Sequence, residues 1–583
     1  MLEKINSPKD IKTLSCEQLD ILAADIRKAI INRMSKRGGH LGPNLGMVET
    51  TIALHYVFDS PTDKFVFDVS HQCYTHKILT GRKNGFLSDE DFSKISGYTN
   101  PEESEHDFFN IGHTSTSVSL ASGLAKARDQ KGEKGNVIAI IGDGSLSGGE
   151  AMEGFDYIGE QQTNFIIVVN DNDMSISENH GGIYKNLRAL RESNGNCPCN
   201  LFKAFGLDYL YVNEGNNIQK LIEAFQKVKD ITHPIVVHIN TLKGKGYKLA
   251  ETHKEEWHWH LPFVIETGEP TIDESGENYV ELTTQYLMKK MKADPKVVAI
   301  VAGVATNIGF TEERRKEFAA QLVDVGIAEE HGVAMASGMA RNGAKPVFAT
   351  HSSFFQRTYD QISQDLCINN NPATLLVNTA SVWGMNDITH LGIFDIPMMS
   401  NIPNLVYLAP TCVEEYFAML DWSIEQTEHP VAVRIPCNGT IHSNKYFAAD
   451  YSKLNKYETI TEGKDIAIIA LGDFFQLGES VAQLLQSAHG ITPTLINPRY
   501  ISGLDTDMLK NLKKEHHIVV TLEDGILDGG FGEKIARFYG KDPMKVMNCG
   551  LKKEFIDRYK ADDILRQNRL TKEQITEDII RLM

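Results

Sequence analysis

Two stretches of the chain carry residues whose types and spacing suit a phosphate group and a hard cation. The apolar run 137–141 ends in Gly142-Asp143-Gly144-Ser145, and a helical pattern follows through Glu150, Ala151 and Met152. Glycines let a backbone approach a phosphate closely, and the N-terminus of a following helix adds amide donors and a positive dipole end. Asp143 offers a carboxylate to a divalent ion. A second apolar run, 165–169, ends in Asn170-Asp171-Asn172-Asp173-Met174. Here Asn172 adds a carboxamide oxygen and Met174 a backbone carbonyl. Magnesium takes about six oxygens, shared between a few protein groups and substrate phosphates. Either motif alone is more often a tight turn or a polar loop. In order, each after a strand, they point to a metal-bound diphosphate at the carboxyl edge of a sheet. Further along, Val323-Asp324-Val325-Gly326 runs into Glu329-Glu330-His331-Gly332 at the start of a segment rich in small residues. An acidic pair in a first helical turn is usually a solvated or capping couple. In an apolar groove, burial would instead raise one carboxyl pKa and suit it to proton exchange.

Such groups need strands to carry them to a common edge. Short runs of β-branched residues recur at 136–141, 164–170, 234–239, 296–301, 346–349, 374–377, 465–471 and 517–522, between longer amphipathic segments. Continuous apolar strands alternating with helical patterns indicate parallel sheets covered on both faces. The expected fold class is α/β, three doubly wound domains with mainly parallel sheets. Polar interruptions at about 266–278 and 437–462 place the domains at 1–270, 279–440 and 460–583.

The 583 residues are 42% hydrophobic and 23% charged, with a formal net charge of −18. That field repels polyanions, so neither nucleic acid nor an anionic membrane is expected as a partner. No stretch approaches the roughly 20 apolar residues that span a bilayer. Residues 1–10 carry Glu3, Lys4, Lys9 and Asp10 and no apolar targeting segment, and eight scattered cysteines form no disulfide framework. The expectation is a cytoplasmic protein with reduced thiols.

Gly-Asp-Gly followed about thirty residues later by Asn resembles the thiamine-diphosphate signature. Longer segments are more specific: His40-Leu41-Gly42-Pro43-Asn44-Leu45-Gly46, Asp68-Val69-Ser70-His71-Gln72, His76 to Arg82, Gly112-His113-Thr114-Ser115-Thr116-Ser117, Met174-Ser175-Ile176-Ser177, Lys243-Gly244-Lys245-Gly246-Tyr247 and Gln356-Arg357-Thr358-Tyr359-Asp360-Gln361. On these the whole chain resembles the 1-deoxy-D-xylulose-5-phosphate synthase family of transketolase-like thiamine enzymes. The order, diphosphate motif before Glu329, is also of the transketolase type. The resemblance implies thiamine diphosphate and Mg2+ as cofactors and a homodimer. It makes the three domains diphosphate-binding, pyrimidine-binding and C-terminal. The implied reaction condenses pyruvate with the aldose phosphate D-glyceraldehyde 3-phosphate, releasing carbon dioxide and 1-deoxy-D-xylulose 5-phosphate. Asp143, Asn172 and Met174 are then the metal ligands. His71, Gly112, His113, Thr114, Gly144, Ser145, Asn172 and Tyr247 contact the cofactor, and Glu329 bonds its aminopyrimidine. His40 and His390 are the catalytic histidines. Arg357 and Arg434 hold the acceptor phosphate, where a guanidinium fork suits paired oxygens.

Departures cluster away from the cofactor motifs. His351 stands where the family usually has tyrosine. Asn386 replaces an aspartate before His390, unless a one-residue shift uses Asp387. After Arg434 the chain reads Ile435-Pro436-Cys437-Asn438, where the family reads Tyr-Pro-Arg-Gly. His258, in Trp257-His258-Trp259-His260, falls at a family histidine. Two alternatives therefore stand beside the main reading: a paralogous transferase with another donor or acceptor, and an oxo-acid dehydrogenase E1 component.

Overall fold

A computed structural model describes residues 1–273, 276–385, 387–445, 447 and 449–583. The chain forms two compact units. One comprises Met1–Gly276 with Val325–Ala328, the other Glu277–Asp324 with Glu329–Met583. The break at Gly276 and Glu277 falls inside the polar stretch 266–278.

In the first unit, β1 (Lys64–Phe67), β2 (Val137–Gly142), β3 (Ile166–Asp171), β4 (Asp208–Val212) and β5 (Ile235–Asn240) form one sheet in the order β1-β2-β3-β5-β4. Every neighbouring pair is parallel. The central strands are apolar throughout because each has two cores to fill. Ile138, Ile140, Ile166 and Val168 pack with helices Cys16–Arg37, Val48–Val57 and Ile218–Val228. Val137, Ala139, Ile141, Ile167 and Val169 pack with helices Ser117–Lys131, Gly149–Gly159 and Gly182–Glu192. Side chains alternate between faces with a period of two, so a doubly covered strand has no polar side.

The second unit holds two sheets. The first has β6 (Val297–Val301), β7 (Leu322–Asp324), β8 (Lys345–His351), β9 (Thr374–Ala380), β10 (Val406–Leu408) and β11 (Val431–Pro436), ordered β10-β11-β9-β8-β6-β7 and parallel throughout. The second has β12 (Glu458–Thr461), β13 (Asp465–Ala470), β14 (Thr494–Asn497), β15 (His516–Ile526) and β16 (Lys545–Leu551), ordered β12-β14-β13-β15-β16. Only β12, an exposed edge, runs antiparallel. Backbone bonds from Ala409 N to Arg499 O (2.8 Å) and from Ile501 N to Tyr407 O (2.7 Å) tie the sheets together. The stretch 437–462 thus joins two sheets of one compact unit.

All eight apolar runs are strands: β2, β3, β5, β6, β8, β9, β13 and β15. Among the strands not read as such runs, β7 and β10 have three residues each, and β4 and β12 are sheet edges that need no continuous apolar sequence.

Candidate active site

In the first unit the candidate residues gather at the carboxyl ends of β1, β2, β3 and β5. Asp143 directly follows β2 and is 1% exposed. Its Oδ2 accepts from the Met174 amide (3.1 Å) and from Asn179 Nδ2 (2.8 Å), which binds the loop after β2 to the loop after β3. Burial, then the charge of Asp171, pushes the Asp143 carboxyl well above its ordinary value. Asp171 itself is held by an ion pair with Arg191 (2.7 Å) and a hydrogen bond with His238 (2.8 Å). Beside this acid, Asn172 Oδ1 is buried with no hydrogen-bond partner among the described residues. A buried acceptor left unmade is costly, on the order of 1–3 kcal/mol. A Cβ at Gly144 would lie 3.0 Å from Ser175 Cα, tighter than ordinary contact, so glycine eases the close approach of these two loops. A carboxyl waiting for positive charge and an orphaned amide oxygen fit a small divalent ion with oxygen ligands.

The histidines are pinned by a buried asparagine. Asn44 Nδ2 donates to both His40 O and His71 O (each 2.7 Å), and Asn44 Oδ1 accepts from the Tyr74 amide (2.9 Å). Ring centroids of His40 and His71 are then 5.0 Å apart, those of His40 and His258 5.5 Å, and those of His71 and His258 5.2 Å. Lys243 Nζ donates to Ser175 O (2.6 Å) and lies 3.2 Å from His258 Nδ1. Burial brings Lys243 down to about 7 against the pull of Asp143. Burial likewise lowers His258 well below its ordinary value, with the Lys243 charge adding to it. A neutral His258 accepting at Nδ1 carries its proton on Nε2.

Gly112, His113 and Thr114 are set by their neighbours. The Ser115 and Ser117 amides donate to Asp68 (2.8 and 3.0 Å), and Ser70 Oγ donates to Ile111 O (2.7 Å). Ser115 Oγ donates to Ser145 O (2.8 Å), which brings this loop against Gly144 and Ser145. The first unit therefore assembles His40, His71, Gly112, His113, Thr114, Asp143, Gly144, Ser145, Asn172 and Met174 along one edge.

In the second unit Glu329 opens the helix Glu329–Arg341 and is 4% exposed. Its Oε2 is buried without a hydrogen-bond partner among the described residues. Burial pushes the carboxyl up to about 7, opposed by the charge of Arg357. Glu330 is half-buried and only adds to that rise. His351, at the end of β8, stacks on Phe354 (5.1 Å), whose ring also meets His390 (5.6 Å). Asp387 Oδ1 lies 3.1 Å from His390 Nδ1, whereas Asn386 falls outside the described residues.

Two expected side chains are committed elsewhere. Arg434, expected on the acceptor phosphate, is 2% exposed and bound by Asp395 (2.7 Å) and Asp524 (2.5 Å). Its charge is already matched twice within the core, so the placement is that of a structural ion cluster. Tyr247, expected on the cofactor, packs its ring against Trp257 (4.9 Å) and donates its hydroxyl to Ile265 O (2.9 Å). Lys243 and Asn179 carry no expectation as site residues, and Asp387 stands in the sequence only as the alternative to Asn386. Lys243 stood in view in Lys243-Gly244-Lys245, but the hydrogen bonds that matter are long-range and have no local signal.

A parallel sheet whose carboxyl edge gathers a glycine turn, a buried acid and an orphaned amide oxygen makes this an α/β protein with a candidate phosphate- and metal-binding edge. Comparison with known proteins is more specific. Residues 2–197 and 193–241 match the family model described as 1-deoxy-D-xylulose-5-phosphate synthase. Residues 277–439 match the transketolase pyrimidine binding domain, and residues 455–575 the transketolase C-terminal domain. The 1-deoxy-D-xylulose-5-phosphate synthase of Clostridium tetani is 37% identical, over 100% of this chain and 99% of the relative. That of Alkaliphilus oremlandii is 38% identical, over 99% of this chain and 98% of the relative. The chain belongs to the 1-deoxy-D-xylulose-5-phosphate synthase family.

Proposed function

We propose that this chain is a thiamine-diphosphate- and Mg2+-dependent transferase that decarboxylates pyruvate and condenses the remaining two-carbon unit with D-glyceraldehyde 3-phosphate. The products are 1-deoxy-D-xylulose 5-phosphate and carbon dioxide. The observation that carries this reading is Glu329: a buried carboxyl near pKa 7 with one oxygen unpartnered among the described residues. Such a group holds and releases a proton with nearly equal ease at neutral pH, as exchange with an aminopyrimidine ring nitrogen requires. Asp143 and Asn172 hold Mg2+ in this reading, with the Met174 carbonyl as the third protein ligand. Gly144, Ser145, His71, Gly112, His113 and Thr114 hold the cofactor. Bound thiamine diphosphate supplies the electron sink that makes loss of carbon dioxide possible. His40 orients the donor with His71 and His258 packed against it, His390 exchanges a proton with the acceptor, and Arg357 is the cation for the acceptor phosphate. The enzyme is taken to be a homodimer, as the resemblance implies, and cytoplasmic, as expected of a chain with scattered reduced thiols. Among the described residues no helix is long and apolar enough to cross a membrane.

The test is incubation with thiamine diphosphate, Mg2+ and pyruvate, with and without D-glyceraldehyde 3-phosphate, following carbon dioxide and sugar phosphate. Acceptor-dependent decarboxylation with 1-deoxy-D-xylulose 5-phosphate as product supports the reading. No pyruvate consumption by protein with confirmed cofactor binding overturns it. A second reading, a paralogous transferase with a different acceptor, is favoured by the neutralised Arg434 followed by Cys437. Turnover of pyruvate with other aldehydes but not with glyceraldehyde 3-phosphate would select it.

A further inference from the structure

His390 sits on the loop that follows β9, and two features of the second unit fix it. The first is Asp387. Its Oδ1 receives the Thr389 amide (2.7 Å), the Thr389 hydroxyl (2.7 Å), the His390 amide (3.1 Å) and His390 Nδ1 (3.1 Å). Burial alone would push this carboxyl up. The bond and charge of His390, then the bonds from Thr389, outweigh burial and hold it at about 2. Asp387 is thus an acceptor-only carboxylate near neutral pH. The Thr389 hydroxyl, whose proton goes to Asp387, lies 2.9 Å from His390 Nδ1 and can only accept from it. Both neighbours of Nδ1 are acceptors, so Nδ1 carries the hydrogen. In the neutral ring Nε2 is then the proton acceptor.

The second feature comes from the chain after the last sheet. Met385, two residues before Asp387, is paired with Tyr559 by Met385 N to Tyr559 O (3.0 Å) and Tyr559 N to Met385 O (2.9 Å). Val382, Met385, Leu391 and Ile393 share one apolar cluster with Ile556 and Tyr559. Phe394 meets Phe555 at 5.6 Å. The Tyr559 phenol also stands near Asp387: burial, then the Asp387 charge, pushes it up to about 12.

We infer that Asp387 and Tyr559 are positioning residues for His390. Asp387 holds the imidazole in the Nδ1–H tautomer, which puts the ring's lone pair on Nε2. Tyr559, on the segment after the third sheet, clamps the backbone that carries the pair. This rests on the role given to His390 in the proposed function. It also explains how the chain dispenses with an aspartate at position 386.

The test uses the full-length, cofactor-loaded protein with 15N-labelled histidines, His390→Gln serving to assign the signal. The wild type is expected to show the Nδ1–H tautomer at His390, and Asp387→Asn to lose it. Turnover in Asp387→Asn falls roughly 100-fold, as for loss of one acid–base group, with KM changed much less. The double variant with His390→Gln loses no more than His390→Gln alone. Tyr559→Ala broadens the His390 signal and lowers turnover about 10-fold, within the general acid–base contribution of His390. An unchanged tautomer signal in Asp387→Asn, or losses that multiply in the double variant, would overturn the inference. Should Asp387→Asn not fold, Tyr559→Ala decides it, an unaltered His390 signal counting against. Absent turnover in the wild type would sink the proposed function, while the tautomer signal still tests this one.

Discussion

Arg434 Nε lies 2.7 Å from Asp395 Oδ2, with both side chains closed to solvent. Asp524 takes the other side of the same guanidinium, and the Tyr407 hydroxyl donates to Asp395. Burial would lower the pKa of Arg434, but these two carboxylates raise it far beyond. The arginine that a phosphate-binding role would recruit is a fixed link between β11 and β15.

Arg434→Met is therefore expected to act on stability. Removing the cation leaves two buried carboxylates unpaired, a loss on the order of 3–5 kcal/mol. Thermal unfolding should shift sharply downward, while KM for the aldose phosphate, measured on protein still folded, stays within about twofold, since no phosphate contact is lost. A raised KM with unchanged unfolding would contradict this placement.

Glu329→Gln separates stability from activity. A carboxyl raised to about 7 in the folded state, against about 4.5 unfolded, binds more protons folded than unfolded between those values. Stability of the cofactor-free protein consequently falls as pH rises through that window. The amide cannot ionise, so the variant should gain over wild type from pH 5 to pH 8, by up to about 3 kcal/mol at the upper end. Turnover should be lost. Equal pH dependence of unfolding in the two proteins would rule out a buried, titrating Glu329.

Asn172→Ala tests the metal. The orphaned oxygen gives the cofactor-free protein nothing, so its unfolding should hardly change. The Mg2+ concentration for half-maximal cofactor binding should rise about 10-fold or more, as for loss of one ligand contact of about 1.4 kcal/mol. Chelation of Mg2+ should release the cofactor from the wild type. Protein fluorescence during cofactor titration reads both effects, and an unaltered Mg2+ requirement would remove Asn172 from the site.

With Arg434 paired in the core, the proposed function assigns the acceptor phosphate to Arg357. Arg357→Met should cut the preference in kcat/KM for glyceraldehyde 3-phosphate over glyceraldehyde by roughly 10- to 100-fold, one charge-assisted contact. Loss of this cation should also move the Glu329 titration to higher pH, because Arg357 opposes its rise. A preference that survives the substitution would point to a different acceptor site.

Much of the architecture was legible because central parallel strands are constrained on both faces. The run 137–141 has to be apolar at every position, since its residues fill two cores in alternation. Edge strands such as β12, Glu458–Thr461, escape that constraint and left no comparable trace. Asp143 and Asn172 stood out because each closes a recognisable strand-to-loop pattern, while the choice of Glu329 over Glu330 came from the resemblance alone. The sequence by itself thus determined the fold class, through local periodicity, and, through the motif segments that carry the resemblance, the family and the order of the cofactor motifs.

Only the tertiary structure decided which charges are matched within the core. Nothing local to Arg434 shows that Asp395 and Asp524 reach it from 39 and 90 residues away. Lys243 joins Ser175 across 68 residues, and Tyr559 supports the His390 loop from beyond the last strand. Burial and ion pairing are properties of neighbours in space. A side chain's proton affinity and its freedom to meet a ligand follow from those neighbours, and no local pattern encodes them.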